Sequence, residues 1–153
     1  MEFKNKEHEE RYKTILNKAK QSDCYHLAVA YLLSLDNVCY EHQNEIFDFE
    51  EDCIKPESVQ TAWQTDGSQK TTRLIFNLWN GFCYDSEDSE SVSLYYAPDS
   101  IFTCCYAPYY FEAIKLRYPE YMQSESCKQK PELTYVNARE VYLKTYIRTH
   151  SEM

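Results

Sequence analysis

Apolar residues recur three or four positions apart in several stretches of the chain, which is the spacing of one helix face. This spacing predicts a first helix over residues 4–20, with glutamates early and lysines late to suit the helix dipole. A second helix is predicted over 22–35, capped by Ser22 and apolar around most of its circumference, so we expect it at the centre of the core. A third is predicted over 68–81, capped by Ser68 and ended by Gly81.

Prolines and polar runs predict the shorter elements. Pro56 is expected to open a helical turn, Pro98 a second turn, and Pro108 a helix that ends before Pro119. The remaining predictions, in chain order, are an irregular or short extended segment after Asn37, a turn at 66–67, loops over 83–92 and 124–131, and a last helix over 137–149.

Together these elements predict an all-α or mainly α fold. We expect a compact bundle of about five to seven helices, packed around those over 22–35 and 68–81, as a single domain over residues 1–153. A small β element near 46–49 or 91–96 is compatible with the pattern.

The composition adds two expectations about the environment of the protein. Aromatic residues make up 16% of the 153, more than a core needs, so many of the 15 tyrosines are expected at the boundary between core and water. The charged N-terminus lacks the apolar region of a signal peptide, and no apolar stretch is long enough to span a membrane. The seven cysteines are therefore predicted to be reduced and mostly buried, in a cytoplasmic protein without membrane contact.

The formal charge of −9 is concentrated in two stretches. Residues 41–66 contain eight acids and one lysine, and residues 85–99 contain five acids and no base. Direct binding of nucleic acid is not expected, because it needs clustered lysines and arginines.

The usual signatures of catalysis and metal binding are missing. Neither the pair Cys104-Cys105 nor any other cysteine or histidine has the spacing of a zinc site, so no metal is predicted. His26 lies on the most apolar helix and is interpreted as a core histidine, whereas His8 and His150 are expected in solvent. With two glycines in the whole chain, phosphate-binding loops are not expected, and no cofactor is predicted.

Two runs of residues carry a family resemblance. The first comprises Lys55-Pro56-Glu57, then Trp63-Gln64-Thr65, and then Ser68 through Arg73-Leu74 to Asn77-Leu78-Trp79-Asn80-Gly81. The second comprises Ile101 through Tyr110 and Ala113 through Tyr121. With these runs the chain, up to about Met122, resembles a family of small uncharacterised proteins carried on mobile elements of Firmicutes.

The resemblance implies a setting and no mechanism. A mobile-element setting favours an accessory role, such as that of an anti-CRISPR inhibitor of host defence. Together with the charge map it suggests a non-enzymatic protein that binds a basic, nucleic-acid-handling protein through acidic surface segments. The predicted partner-binding residues are Glu45, Asp48, Glu50, Glu51, Asp52, Asp85, Glu87, Asp88 and Glu90.

An alternative is an enzyme or a small-ligand-binding protein whose pocket no motif reveals. A cysteine with a histidine base is one such arrangement, because the two residues can be distant in sequence. The other is a polar groove on the helix over 68–81, where Gln69, Arg73 and Asn77 follow one another at intervals of four residues.

Overall fold

Seven α-helices and one small hairpin make up the part of the chain that the computed structural model describes, residues 1–122. The mainly α prediction and the small β element near 46–49 are confirmed, and the predicted loop over 124–131 and helix over 137–149 lie outside the described residues. Residues Met1–Pro119 form one compact unit. The elements are α1 (Lys6–Leu16), α2 (Cys24–Leu33), α3 (Asn37–Glu41), α4 (Gln43–Ile46), β1 (Phe47–Asp48), β2 (Cys53–Ile54), α5 (Asp66–Asn80), α6 (Pro98–Ile101) and α7 (Ala107–Arg117), with 3-10 turns at Pro56–Gln60, Leu94–Tyr96 and Pro119–Tyr121.

Helix α2 is the centre of the core, as its apolar circumference predicts. It packs against α1, α5 and α7, and the side chains from Ala28 to Leu33 are all buried. Its N-cap is Asp23 and not the predicted Ser22: the Asp23 carboxylate accepts the backbone N–H groups of Tyr25 and His26. A carboxylate at this position also suits the positive end of the helix dipole.

Helix α5 begins earlier than the sequence pattern indicates. Thr65 is its N-cap, and Ser68 is the third residue of a reciprocal capping box, so the predicted cap at Ser68 and the predicted turn at 66–67 are both wrong. The capping box satisfies the backbone N–H groups of Thr65 and Ser68, so the helix starts ahead of Gly67. The predicted end at Gly81 is confirmed: Gly81 has a φ of 78°, in the left-handed region that glycine adopts without strain.

The capping box gives a stability prediction. Replacing Thr65 by alanine is expected to lower the free energy of unfolding by about 1 kcal/mol, because the Ser68 N–H loses its acceptor. The matched control is Thr14→Ala, at an exposed position inside α1, where the change is expected to stay within about 0.5 kcal/mol. Urea unfolding of both variants measures the difference, and equal losses would contradict the assignment of Thr65 as the cap.

The segment after Asn37 is more regular than predicted. Asp36 caps the short helix α3 by accepting the N–H of Cys39 at 2.8 Å, and α4 follows it directly. Strands β1 and β2 then pair antiparallel, with Phe47 opposite Ile54. The buried side chain of Phe47 anchors the hairpin, because it contacts the Trp79 ring with 4.7 Å between ring centres.

Helix α1 is shorter than the predicted 4–20. Asn5 caps its start by accepting the His8 N–H, and the helix ends at Leu16. The prediction that His8 lies in solvent is wrong, since only 1% of the residue is exposed. Its ring packs edge-on against Phe3 and 4.6 Å from the Tyr31 ring centre. The N-terminal residues fold back over α2 and cover it.

The six described cysteines are free thiols, but the prediction that they are mostly buried is wrong. Only Cys39 is fully buried, and the others stand at the ends of elements or in turns, where one side of the chain faces water. Three cysteines are half-buried, namely Cys24, Cys83 and Cys104. Two are exposed, namely Cys53 and Cys105.

Candidate functional site

The loop between α5 and α6 carries the freest negative charge in the described part of the chain. Its base is closed by the bridge between Tyr84 and Val92 and by the Ser93 N–H, which donates to the Cys83 carbonyl at 2.9 Å. Its carboxylates are exposed and form no ion pair within residues 1–122. They are Asp85, Glu87, Asp88 and Glu90, all predicted from the sequence.

Exposed apolar side chains follow the acidic loop directly. Val92 is 65% exposed, Leu94 84% and Tyr95 59%. Sequence reasoning missed them as site residues, because their pattern does not tell which side faces the core. We define the acidic–apolar surface as residues 85–95, in which exposed carboxylates are followed by exposed apolar side chains.

The fold also places Glu57 beside this loop. Glu57 and Gln60 line a cleft of about 280 Å³ with Asp85, Glu87 and Asp88. The Gln60 side-chain amide donates to the Asp85 carbonyl at 3.2 Å and holds the loop against the 3-10 turn. The two acidic stretches of the sequence therefore meet at this cleft.

The first acidic stretch contributes less free charge than the sequence suggests. Glu45 accepts hydrogen bonds from His42 at 2.7 Å and from Trp63 at 2.8 Å, and these bonds, the His42 bond most, lower its pKa. Asp48 accepts the N–H groups of Glu51 and Glu50 and pairs with Lys55, which together lower its pKa.

Asp52 is also engaged, by His26. Of the five predicted residues over 45–52, only Glu50 and Glu51 have carboxylates without a partner within the described chain. Both follow the start of the hairpin turn and are exposed.

Two of the three predicted groove residues lie together. Gln69 and Arg73 line a cleft of about 300 Å³ with Lys70 and Tyr95. The Arg73 guanidinium lies over the Tyr95 ring, 4.7 Å from its centre, and holds that exposed ring against α5. Asn77 lies outside the cleft, and its amide donates to the Phe82 carbonyl at 3.5 Å.

A further cleft opens beside His26, whose interpretation as a buried histidine is confirmed. The imidazole is 5% exposed, with Nδ1 2.8 Å from an Asp23 carboxylate oxygen and Nε2 3.3 Å from an Asp52 carboxylate oxygen. Burial raises the pKa of Asp23, but its hydrogen bonds with His26 outweigh burial and the net shift is downward. The rings of Tyr25 and Trp79 complete a cleft of about 380 Å³.

Cysteine–histidine pairs and groups of metal ligands can be checked within the described residues. Within residues 1–122, His8, His26 and His42 bond carbonyls, carboxylates or a backbone N–H, and none bonds a cysteine. The same residues contain no group of three or more histidine, cysteine or acidic side chains that could hold a metal ion. Among the helices of residues 1–122, none combines the length and the low polarity that a membrane span requires.

Fold and surface together define a class: a small, mainly α-helical protein that displays an acidic–apolar surface. A model of a protein family described as a family of unknown function (DUF6075) matches residues 1–130, and the chain belongs to this family. No curated protein and no solved structure matches the chain.

Proposed function

We propose that the protein is a non-enzymatic accessory protein that acts by binding a basic, nucleic-acid-handling protein. Its setting is a mobile element of Firmicutes, its compartment the cytoplasm, and its action that of an anti-CRISPR-like inhibitor of host defence. The observation that carries the proposal is the acidic–apolar surface, where carboxylates that form no ion pair within residues 1–122 stand directly beside exposed apolar side chains.

The apolar part of this surface has the composition of an interface centre. Protein interfaces favour aromatic and apolar side chains at their centre and polar groups at their rim. Leu94 and Tyr95 provide the apolar and aromatic side chains. The Tyr95 ring is already in contact with the Arg73 guanidinium. A ring fixed before binding loses little conformational freedom when a partner covers it.

The acidic part supports a basic partner. Carboxylates grouped on one side of a protein attract a positively charged surface over a distance and speed association. A partner that normally holds phosphates offers such a surface, and carboxylates placed there compete with its nucleic acid. Attraction of this kind weakens as salt screens the charges.

The proposal predicts a charge-reversal effect. In a pull-down from host lysate, the double variant Glu87→Lys/Asp88→Lys is expected to capture the partner at least about tenfold less well than the wild type. The wild-type interaction is expected to weaken between about 50 and 200 mM salt.

The matched control is Glu10→Lys/Glu41→Lys, which changes the net charge equally at exposed positions on α1 and α3. Its capture of the partner is expected to stay close to that of the wild type. Equal capture by all three proteins, or capture that salt does not affect, contradicts the proposal.

A second candidate function, small-ligand binding or catalysis, is favoured by one observation. Gln69 and Arg73 line a common cleft, and Arg73 forms no ion pair within the described chain. The same double variant separates the two functions, because a small ligand held by Gln69 and Arg73 does not need Glu87 or Asp88.

A further inference from the structure

The cleft beside His26 is flanked by two carboxylates. The His26 imidazole contacts one oxygen of each flanking carboxylate, with 2.8 Å from Nδ1 to Asp23 and 3.3 Å from Nε2 to Asp52. The second carboxylate oxygen of Asp52 accepts no hydrogen bond within residues 1–122. Asp52 can therefore accept a further donor from the cleft side.

Asp52 has an unusual backbone conformation, which places its carboxylate at the cleft. Its φ of 51° is the only positive φ of a non-glycine residue in the described chain. This left-handed conformation is uncommon for residues with a side chain, although aspartate tolerates it better than most. It ends the acidic turn of the hairpin with a carboxylate at the cleft and leaves 25% of that side chain exposed.

The aromatic walls identify the kind of donor that fits. Arg117 of α7 already places its guanidinium 3.5 Å from the centre of the Tyr25 ring. Tyr25 is nevertheless 39% exposed, and the Trp79 ring meets it edge-on with 5.9 Å between centres. Guanidinium groups stack on aromatic rings and pair with carboxylates, which ammonium groups do less well.

From this geometry we propose that the cleft of Asp23, Tyr25, His26, Asp52 and Trp79 binds the side chain of an arginine of the partner. The inference rests on the proposed function, because the arginine belongs to the basic partner. Its guanidinium donates to Asp52 and lies against the exposed aromatic surface.

The charged groups around the cleft favour a cation. They are the carboxylates of Asp23 and Asp52 and the guanidinium of Arg117, whose Nη1 also contacts the Cys24 thiol at 3.8 Å. Two carboxylates beside one guanidinium leave a net negative charge that attracts a further cation.

The test uses N-acetyl-arginine amide as the probe and Trp79 as the reporter. The chain has two tryptophans, so a Trp63→Phe background leaves Trp79 as the only one. Titration at about pH 8 is expected to change the Trp79 fluorescence saturably, with a Kd of about 1–10 mM, as suits so small a ligand. The neutral analogue N-acetyl-citrulline amide is expected to cause no saturable change.

Two comparisons assign the binding to the cleft. Asp52→Asn, which keeps the shape and tolerates the left-handed backbone, is expected to weaken the probe about tenfold, and Asp99→Asn on α6 to leave it unchanged. A linear response, equal binding of the citrulline analogue, or full binding by Asp52→Asn overturns the inference.

The titration needs no partner, so the two proposals fail separately. If the partner is captured but the arginine probe does not bind, the cleft inference is wrong and the proposed function stands. If the probe binds and charge reversal at Glu87 and Asp88 changes nothing, the acidic–apolar surface is the part that is wrong.

Discussion

Phe76→Ala is expected to lower the free energy of unfolding by about 3–5 kcal/mol, the range for removing a buried aromatic ring. Phe76 is 0% exposed on α5, and its ring lies edge-on to Phe82, with 6.0 Å between centres. A loss of that size is a large part of the roughly 5–15 kcal/mol that stabilises an ordinary domain.

Urea unfolding measures this loss as a lower midpoint with an unchanged slope. The matched control is Phe111→Ala, the same chemical change at a position that is 55% exposed and stacked on Phe102. It is expected to cost about 1 kcal/mol or less. Similar losses in both variants would contradict the burial of Phe76.

The effect of Phe76→Ala is expected to reach the proposed binding surface as well. Phe82 leads from α5 into the acidic loop and also contacts the rings of Tyr84 and Tyr96. Removing Phe76 takes away one of the rings that hold Phe82. Faster amide exchange of residues 83–96 is therefore expected in this variant, at a urea concentration where it is still folded.

Acidification below about pH 6.5 is expected to destabilise the protein through His8, by up to about 1.4 kcal/mol per pH unit. Burial lowers the pKa of His8, and the nearby Lys4 and Arg11 add to the shift, although the hydrogen bond to the Tyr31 carbonyl opposes it. The Lys4 N–H donates to Nδ1 at 3.2 Å, and the Nε2–H donates to the Tyr31 carbonyl at 3.0 Å. Protonation of Nδ1 removes the acceptor of the Lys4 N–H.

The direction of this change in stability follows from the number of protons that His8 binds in the unfolded and in the folded chain. In the unfolded chain His8 binds a proton below about pH 6.5, whereas in the folded chain it stays neutral to a lower pH. The stabilisation is therefore complete above pH 6.5 and is lost as the pH falls from there to the folded pKa. The carboxylates whose pKa values are lowered, such as Asp48 and Glu112, act at lower pH, below about 4.5.

Unfolding free energies between about pH 7.5 and 5 measure this slope. His8→Gln keeps a donor for the Tyr31 carbonyl and does not titrate, so its stability is expected to vary less with pH over this range. A slope that survives in His8→Gln rules out His8 as its origin.

Much of the helical architecture could be predicted from local pattern. Helix α2 is apolar on all sides and α5 has a strong apolar stripe, and both signals come from residues a few positions apart. The starts of these helices were misplaced by one to three residues, because Ser22 and Ser68 are good caps by residue type. The observed caps are Asp23 in place of Ser22 and Thr65 in place of Ser68. Which of two suitable neighbours becomes the cap depends on backbone geometry, which residue type alone does not specify.

The candidate site was predictable only in part, because charge pairing joins distant residues. The loop over 85–90 has no base near it in sequence, and its carboxylates are indeed unpaired within the described residues. The stretch over 45–52 looks similar, but His42, Lys55 and His26 take up three of its five carboxylates. Sequence proximity revealed neither His26 as the partner of Asp52, 26 residues away, nor Trp63 as a partner of Glu45, 18 residues away.

The sequence by itself determined the mainly helical fold, the central place of α2 and the localisation of negative charge, since these depend on local spacing and composition. Tertiary structure alone decided that His8 is buried, that Glu57 joins the loop over 85–88, and that Asp52 meets His26 beside Tyr25 and Trp79. The physical reason is that burial and pairing are properties of residues brought together by packing. No local pattern encodes those distances.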